Sequence, residues 1–375
     1  MISYYLSNFW GLKKVFFVMN AYCKNKYVQK TLFVSLCFPI VFNIQKTLGQ
    51  DAVFSQYYAS SLYLNPAFAA TEHTVTAGFN SRVQWKSITT PYNTNQASLI
   101  MPIYKSSEKF QNIGGIGLSV YNNKAGQAGV NTTGANLNAA YVIPINEKNQ
   151  VIAGIQVGFI QKTIDFSKGQ WGSQYDPING FNSSIPSGEY NFVSSVIYPD
   201  IGAGFLYYNK PKRDISEKGK SFYMGFSTYH LNRPNESVIK SQPSPLPILY
   251  KATLGGEFSI NSAWNISPNI LIARQSTSLQ INIGTYVTYS LGGNSDESKL
   301  PTMLIAGAWY RVNDSGIGSI GIGNKYYMIG FSYDMNSSTL RLNTDAKSAG
   351  AYEISLKIST PKVVKTQRVY QTPRI

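Results

Sequence analysis

Apolar and polar residues alternate with a period of two along many segments of this chain after residue 70. Segment 279–291 shows the pattern most clearly: its odd positions are mostly aliphatic or aromatic, and its even positions are glutamine, asparagine, glycine, tyrosine, threonine and serine. Segments 151–162 and 352–359 alternate in the same way. Because successive side chains of a strand point to opposite faces, the pattern predicts β-strands with one apolar and one polar face.

Extended along the whole chain, the alternation predicts about fourteen strands, an even number that suits a single-chain antiparallel barrel with both termini on one side. The predicted strands are 74–86, 93–104, 113–123, 131–144, 150–163, 197–209, 220–230, 249–260, 266–275, 279–291, 302–312, 316–322, 326–334 and 351–360.

The connections between the predicted strands differ in length in a regular way. If the first strand runs outward, the three longest connections, 164–196, 231–248 and 335–350, all fall on the outer side. Short turns such as 145–149 and 323–325 fall on the other side. Transmembrane barrels have this asymmetry, with long loops outside and short turns in the periplasm.

Composition separates a membrane barrel from a soluble sandwich or propeller, whose strands would also alternate. Charged residues are 14% of the chain and aromatic residues another 14%, led by 27 tyrosines. The polar strand faces consist of glycine, asparagine, serine and glutamine, as a hydrated lumen requires, and aromatic residues crowd the strand ends. The predicted fold is therefore all-β, a transmembrane antiparallel β-barrel.

The first 49 residues have the properties of an export signal. They contain six lysines and no acidic residue, and their apolar run, 31–44, is shorter than a spanning helix. The small residue Gly49 favours cleavage before Gln50. A start at Met19 would give a leader of more ordinary length and leave residues 1–18 untranslated.

Both cysteines, Cys23 and Cys37, fall within this leader, so the mature chain is expected to contain no disulfide, thiolate metal site or cysteine nucleophile. Without the leader, 27 of the 33 basic residues remain against 18 acidic ones. Because these charges are scattered and form no basic stripe, attraction to anionic lipid or glycan is favoured over nucleic-acid binding.

Motifs that carry catalysis are sparse. The sequence has two histidines, His73 and His230, and no zinc-protease or phosphate-loop motif. A Ser–His hydrolase site at His230, with Ser227 nearby, is one alternative, but no spacing enforces the geometry of such a pair. Acidic residues such as Asp51 and Asp334 are isolated along the chain, which predicts neither paired carboxylates nor a calcium loop. We expect no enzymatic activity and no cofactor.

The segment after the leader is the most distinctive in the chain. It contains Phe54-Ser55-Gln56-Tyr57 and Leu64-Asn65-Pro66-Ala67, and Arg82-Val83-Gln84-Trp85 closes the first predicted strand. Together with Gly350 to Leu356 near the end, these elements resemble the PorP/SprF family, outer-membrane proteins of type IX secretion and gliding motility. The resemblance covers 50–360 and departs from the family at Ala70, where glycine is usual.

The resemblance implies an accessory barrel that helps large surface proteins, often adhesins, to be secreted and held at the cell surface by binding them. Its partners would be the secreted protein or its C-terminal domain, other type IX components and outer-membrane lipid. Aromatic residues of the longest outer loop are the candidate partner contacts: Trp171, Tyr175, Phe181 and Tyr190. A passive porin or solute channel is the alternative, and an open or blocked lumen distinguishes the two.

These observations divide the chain into the leader (1–49), an N-terminal segment (50–73), the barrel (74–360) and a basic tail in the periplasm (361–375). Asn65 precedes a proline, which restricts it to an extended or turn conformation. We expect the N-terminal segment to cap or plug the periplasmic mouth of the barrel, a structural role favoured over direct partner binding.

Overall fold

The computed structural model describes residues 51–56, 59–85, 91–105, 111–126, 129–176, 178, 180–188, 192–209, 220–261, 263–291, 302–324, 326–337 and 350–361. The predicted leader, Tyr57, Tyr190 and the tail beyond residue 361 lie outside these ranges.

The described chain begins with a short helix, α1 (Ser61–Leu64), and a 3₁₀ helix (Pro66–Ala70), and is otherwise built of strands. The strands are β1 (Thr76–Gln84), β2 (Tyr92–Lys105), β3 (Gln111–Ala125), β4 (Val130–Pro144), β5 (Asn149–Thr163), β6 (Tyr175–Asp176), β7 (Gly180–Phe181), β8 (Ser195–Asn209), β9 (Lys220–Tyr229), β10 (Leu249–Ser259), β11 (Trp264–Gln275), β12 (Ser278–Leu291), β13 (Thr302–Arg311), β14 (Ser315–Gly323), β15 (Tyr327–Asn336) and β16 (Gly350–Ser359).

Fourteen of these strands form a closed antiparallel barrel, and β6 and β7 form a separate two-stranded hairpin in the connection between β5 and β8. Each barrel strand pairs with its sequence neighbours, and β1 closes the ring by pairing with β16, from Thr76 opposite Ser359 to Gln84 opposite Ala351. Every one of the fourteen predicted strands has its counterpart. The prediction of a fourteen-stranded antiparallel barrel is confirmed.

The barrel has an apolar outside and a polar inside, the reverse of a soluble protein. Phe159 and Ile320 point outward and are 65% and 66% exposed, whereas Asn138 and Ser332 point inward and are fully buried. So much exposed apolar surface is stable only against another apolar phase, here the hydrocarbon of a bilayer. Among the described residues, no helix is long and apolar enough to cross a membrane.

The two ends of the barrel differ as predicted. The connections from β5 to β8, from β9 to β10 and from β15 to β16 are the three longest, and strand direction places all three at one end. We call this the long-loop end and the opposite one the short-turn end. In transmembrane barrels the long loops face outward and the short turns face the periplasm.

Residues 51–56 and 59–71, together called the luminal segment below, lie inside the ring of strands. Leu62, Ala67 and Ala69 are completely buried, and the two short helices pack against β2, β3, β4, β5 and β8. The segment begins at the long-loop end, where Asp51 contacts His230 just beyond β9. It ends at the short-turn end, where Asn112 donates to the carbonyl of Ala70.

The expectation that residues 50–73 cap or plug the periplasmic mouth stays a prediction. The described contacts of the segment extend from Asp51 at the long-loop end to Ala70 at the short-turn end. The physical reason for this path is hydrogen bonding, because the polar main chain of the segment finds its partners among inward-facing side chains near the long loops.

Candidate functional site: the luminal segment and its wall

The Asn-Pro step of the sequence anchors the luminal segment in the barrel wall. Asn65 is extended, with φ −160° and ψ 125°, as a residue before proline must be. Its side-chain oxygen accepts from Ala67 N at 2.9 Å and caps the 3₁₀ helix that Pro66 begins. Its amide nitrogen donates to the carbonyl of Phe205 at 3.0 Å and to that of Phe226 at 3.2 Å. The predicted residues Asn65, Pro66 and Ala67 therefore tie the segment to β8 and β9.

Glycines in the wall permit this close approach. A Cβ on Gly115 would collide with the carbonyl oxygen of Ala69, and one on Gly154 with the main chain of Pro66 and Ala67. Only a residue without a side chain leaves room for another backbone at these points. The glycine runs of the strands therefore shape a seat for the 3₁₀ helix.

Apolar side chains fill the lumen around this seat. One buried cluster joins Leu62 and the alanines of the 3₁₀ helix to β2, β4, β5 and β8 through Ile100, Ala140, Val142, Ile152 and Leu206. A second cluster joins the predicted residue Leu64 to the other side of the barrel through Leu271, Tyr286, Trp309 and Ile317. The segment is therefore packed between opposite walls.

A charged network holds the next part of the segment. The guanidinium of Arg82 pairs with Asp334 at 2.7 Å and with Glu353 at 3.3 Å, and all three side chains are at least 96% buried. Arg311 also pairs with Asp334, at 3.2 Å. Ser55 Oγ lies between these groups, donating to Asp334 at 2.9 Å and accepting from both arginines. The charges of two arginines and two carboxylates therefore balance each other around the hydroxyl of Ser55.

Glu353 recognises the main chain of the segment directly. Its two carboxylate oxygens accept from the backbone nitrogens of Ser55 at 2.6 Å and of Gln56 at 2.9 Å. The completely buried side chain of Gln56 donates to the carbonyl of Glu353 at 2.8 Å and accepts from Ser355 Oγ at 2.7 Å. Gln56 and Arg82, both predicted from the family motif, are therefore brought to one place.

A second polar centre lies at the outermost part of the lumen. His230 is buried between Asp200, 2.7 Å from its Nδ1, and Asp51, 2.9 Å from its Nε2. Burial opposes charge on the imidazole, but the Asp51 carboxylate and the hydrogen bonds to both aspartates raise the pKa of His230 to about 10. Burial likewise opposes charge on Asp51, but the charge of His230 and its hydrogen bond lower the pKa of Asp51 to about 2.

The surroundings of His230 do not form the hydrolase pair considered from the sequence. Both ring nitrogens face carboxylates, and Ser227 Oγ instead donates to the carbonyl of Leu64 at 2.6 Å. A serine nucleophile requires a free ring nitrogen within hydrogen-bond distance as its base. Within the described part of the chain, no group of three histidine, cysteine, aspartate or glutamate side chains is arranged as a metal site.

The segment leaves cavities beside this centre. Two small cavities, of ≈ 20 Å³ and ≈ 70 Å³, adjoin the same four residues: Asp51, Tyr63, Tyr121 and His230. Lys251 lies at the first cavity, donates to the carbonyl of Tyr63 at 2.6 Å and stands 4.0 Å above the ring of that tyrosine. The outer half of the lumen is therefore polar, charged and less tightly filled than the inner half.

The two remaining described residues of the family motif, Phe54 and Trp85, lie in separate places. Phe54 is buried and meets Tyr63 edge-on, with ring centroids 5.4 Å apart. Trp85 directly follows β1 and has a left-handed φ of 56°. Its ring meets that of Tyr92 edge-on, with centroids 5.0 Å apart. Both therefore serve the packing of the segment and of the first strand end.

The predicted contact residues of the longest outer loop do not form one cluster. Trp171 stacks with Phe166 and Phe192, with centroids 6.1 and 6.2 Å apart. Tyr175 and Phe181 form a separate pair at 5.7 Å across the β6–β7 hairpin. The loop thus presents two aromatic surfaces.

Sequence reasoning missed Glu353 and Arg311, and it missed the pairing of Asp334 with the two arginines. Asp334 and Asp51 are isolated along the chain, but barrel closure brings Asp334 close to Arg82, and the path of the segment brings Asp51 close to His230. The signal that could have found the network is position: Arg82 and Glu353 are register partners, both on the inward face near strand ends.

Two solved structures similar to this chain are those of a transporter and a channel. The crystal structure of the Ralstonia pickettii toluene transporter TbuX has a TM-score of 0.45 and 12% identity, over 81% of this chain and 94% of that chain. The CymD monoaromatic hydrocarbon channel has a TM-score of 0.42 and 12% identity, over 84% of this chain and 96% of that chain. At such distances no ligand or activity is transferred to this chain.

No curated protein matches the sequence. A family model does: it is described as the type IX secretion system membrane protein PorP/SprF, and it matches residues 47–358. The match spans well over half of the chain and includes the luminal segment and every strand of the barrel except the last residue of β16. The chain therefore belongs to the PorP/SprF family of type IX secretion system membrane proteins, built as an outer-membrane β-barrel.

Proposed function

We propose that this protein is an accessory barrel of the type IX secretion system, which helps to secrete or hold large surface proteins by binding them and catalyses no reaction. Family membership supports the link to the secretion system. The observation that carries the binding role is the occupied lumen, since Leu62, Leu64 and the alanines of the 3₁₀ helix pack against opposite walls, and Ser55 and Gln56 bond to Glu353 on the wall. A barrel whose lumen is occupied in this way is poorly suited to passive diffusion of solutes, but its exposed loops offer surfaces that another protein can bind.

The surfaces available for an exported protein are those of the long-loop end. The aromatic pair Tyr175 and Phe181 is exposed on its hairpin, and Trp171 stacks with Phe166 and Phe192 elsewhere on the same loop. Exposed aromatic side chains on a scaffolded loop are typical binding anchors. We expect the secreted protein or its C-terminal domain to bind there, with other secretion components beside the barrel.

In this proposal the protein reaches the outer membrane after removal of its leader near Gly49 and Gln50. Among the described residues, Asp51 is the first to bond to the wall, through His230 and Gln275. Anchoring of adhesins and support of gliding motility are the roles that the proposal assigns to the mature protein.

A deletion strain tests the role. We expect type IX surface adhesins to disappear from the surface of intact cells, while uptake of small solutes stays at the wild-type level. Co-purification from membranes should then recover the exported protein with the barrel. Normal adhesin display together with lost solute permeability would support the channel alternative and contradict the proposal.

A further inference from the structure

The outer half of the lumen binds both the main chain and the side chains of the luminal segment. Side chains of the wall bond four backbone groups of residues 51–56: Asp51 N to Gln275, Ser55 N and Gln56 N to Glu353, and Gln56 O to Asn80. This is how proteins bind extended peptides, with backbone bonds supplying affinity and side-chain pockets supplying specificity.

We propose that this part of the lumen is a binding site for an extended peptide, which residues 51–56 fill in cis and which an extended segment of the exported partner takes in their place. The identity of the partner rests on the proposed function. The peptide site itself rests on the wall residues and their bonds to the main chain.

Two pockets define the sequence that the site accepts. The first holds Ser55 and Gln56 among Arg82, Asp334 and Glu353, with each polar atom of the serine hydroxyl and the glutamine amide bonded. Four residues earlier, the second pocket holds the carboxylate of Asp51. The incoming segment would carry an acidic residue four positions before a serine-glutamine pair.

Charge explains the preference of the second pocket for an acid. With the carboxylate of Asp51 in place, protonated His230 and Lys251 are balanced by Asp51 and Asp200. Without it, one positive charge is left over in a buried site. A buried charge without a partner is costly, so the vacated pocket favours a replacement carboxylate.

The outer and inner parts of the segment are fitted differently, which allows one to exchange while the other stays. Around Ala67 and Ala69 the backbone is pressed against glycines with no spare space. The two cavities adjoin Asp51, Ala52 and Tyr63 of the segment, and Asn136 Oδ1, on a residue that lines the first cavity, is buried without a hydrogen-bond partner among the described residues. Ser60 Oγ, on the segment itself, is buried without a partner in the described part of the chain as well. Unpaired polar groups reduce the gain from seating the outer part.

A fluorescent nine-residue peptide copying residues 50–58, with a scrambled peptide as its control, tests the site on the full-length protein in detergent micelles. In the wild type the tethered segment competes at millimolar effective concentration, so binding should be weak. The double variant Asp51→Ala/Ser55→Ala weakens the occupant and leaves the wall intact. We expect it to bind the peptide at least tenfold more tightly than the wild type.

Wall variants in the same background locate the binding. Adding Glu353→Gln at the first pocket, or Gln275→Ala at the second, should abolish the tighter peptide binding of the double variant. Adding Lys148→Ala, in an exposed turn at the short-turn end, should leave that binding unchanged. Heat-modified migration on gels confirms that each variant is a folded barrel. A folded double variant that binds the peptide no better than the wild type, or no better than the scrambled peptide, would overturn the inference.

This result is independent of the secretion role. If the peptide fails to bind but deletion still removes adhesins from the surface, the peptide site is wrong and the proposed function stands. If the peptide binds as expected but adhesin display is normal in the deletion strain, the site stands and its occupant comes from another class of partner.

Discussion

Single buried residues determine how the outer end of the luminal segment is held. His230 connects three parts of the molecule: the strand β8 through Asp200, the segment through Asp51, and the start of the β9–β10 loop through its own backbone, which has a left-handed φ of 59°. A non-glycine residue keeps this conformation only when its surroundings fix it. The imidazole contacts therefore stabilise the loop and the segment together.

The first prediction concerns the pH dependence of this contact. The pKa of His230 is about 10 in the folded state, against 6.5 for the unfolded chain, so its contribution to stability is complete below pH 6.5 and decreases as the pH rises toward 10. Asp51, with a pKa of about 2, loses its contribution only below its unfolded value of 3.8. The wild type should therefore have a larger free energy of unfolding than His230→Gln, and the difference should be greatest between pH 3.8 and pH 6.5.

Urea unfolding of both proteins in micelles from pH 5 to pH 10 measures this difference. We expect it to shrink steadily above pH 6.5 and to be nearly gone at pH 10. A difference that stays constant over the whole range would show that the imidazole acts by packing alone.

A second prediction concerns the carboxylate that holds the segment's main chain. Glu353→Gln removes one of two carboxylates facing Arg82 and Arg311 and weakens the bonds to Ser55 N and Gln56 N. Breaking a buried ion pair by removing one partner costs about 3–5 kcal/mol. The free energy of unfolding should fall by about that amount, whereas Glu147→Gln in an exposed turn should leave it unchanged. Equal unfolding midpoints for the two variants would contradict the network.

At the scale of elements, strand positions were predictable and luminal contacts were not. Strands such as β12 follow directly from alternation, because each inward or outward position is set by the bilayer outside and the lumen inside. The meeting of Arg82 with Asp334 depends on closure of the ring between β1 and β16, which joins residues 252 positions apart. A local sequence pattern carries no information about a contact between residues so far apart along the chain. The path of the luminal segment depends on the same closure of the barrel.

The seat of the 3₁₀ helix gives a prediction at this scale. Gly154→Ala places a methyl group against the main chain of Pro66 and Ala67, and overpacking of this kind costs about 1–3 kcal/mol. Gly318→Ala is the matched control, since nothing lies within 4 Å of its added carbon. Urea unfolding should show destabilisation for the first variant alone. If both variants unfold alike, the close seat is absent in solution.

At the scale of the whole molecule, the barrel strands surround the luminal segment. The outer face suits lipid, the inner face bonds or packs against the luminal segment, and the long-loop end carries both the aromatic loop and the start of that segment. Under the proposed function, a membrane barrel arranged in this way would keep the membrane sealed while it presents a binding surface to an exported protein. Secretion accessories that must hold large proteins without leaking solutes need both properties.

Conductance of the purified wild-type protein in a planar lipid bilayer tests this account most directly. With the luminal segment bound inside the lumen, insertion of the wild-type protein into the bilayer should produce no steady current. A steady current should appear only in variants that loosen the segment, such as Gly154→Ala. A wild-type protein that conducts steadily on insertion, at the same level as Gly154→Ala, would contradict a lumen filled by its own chain.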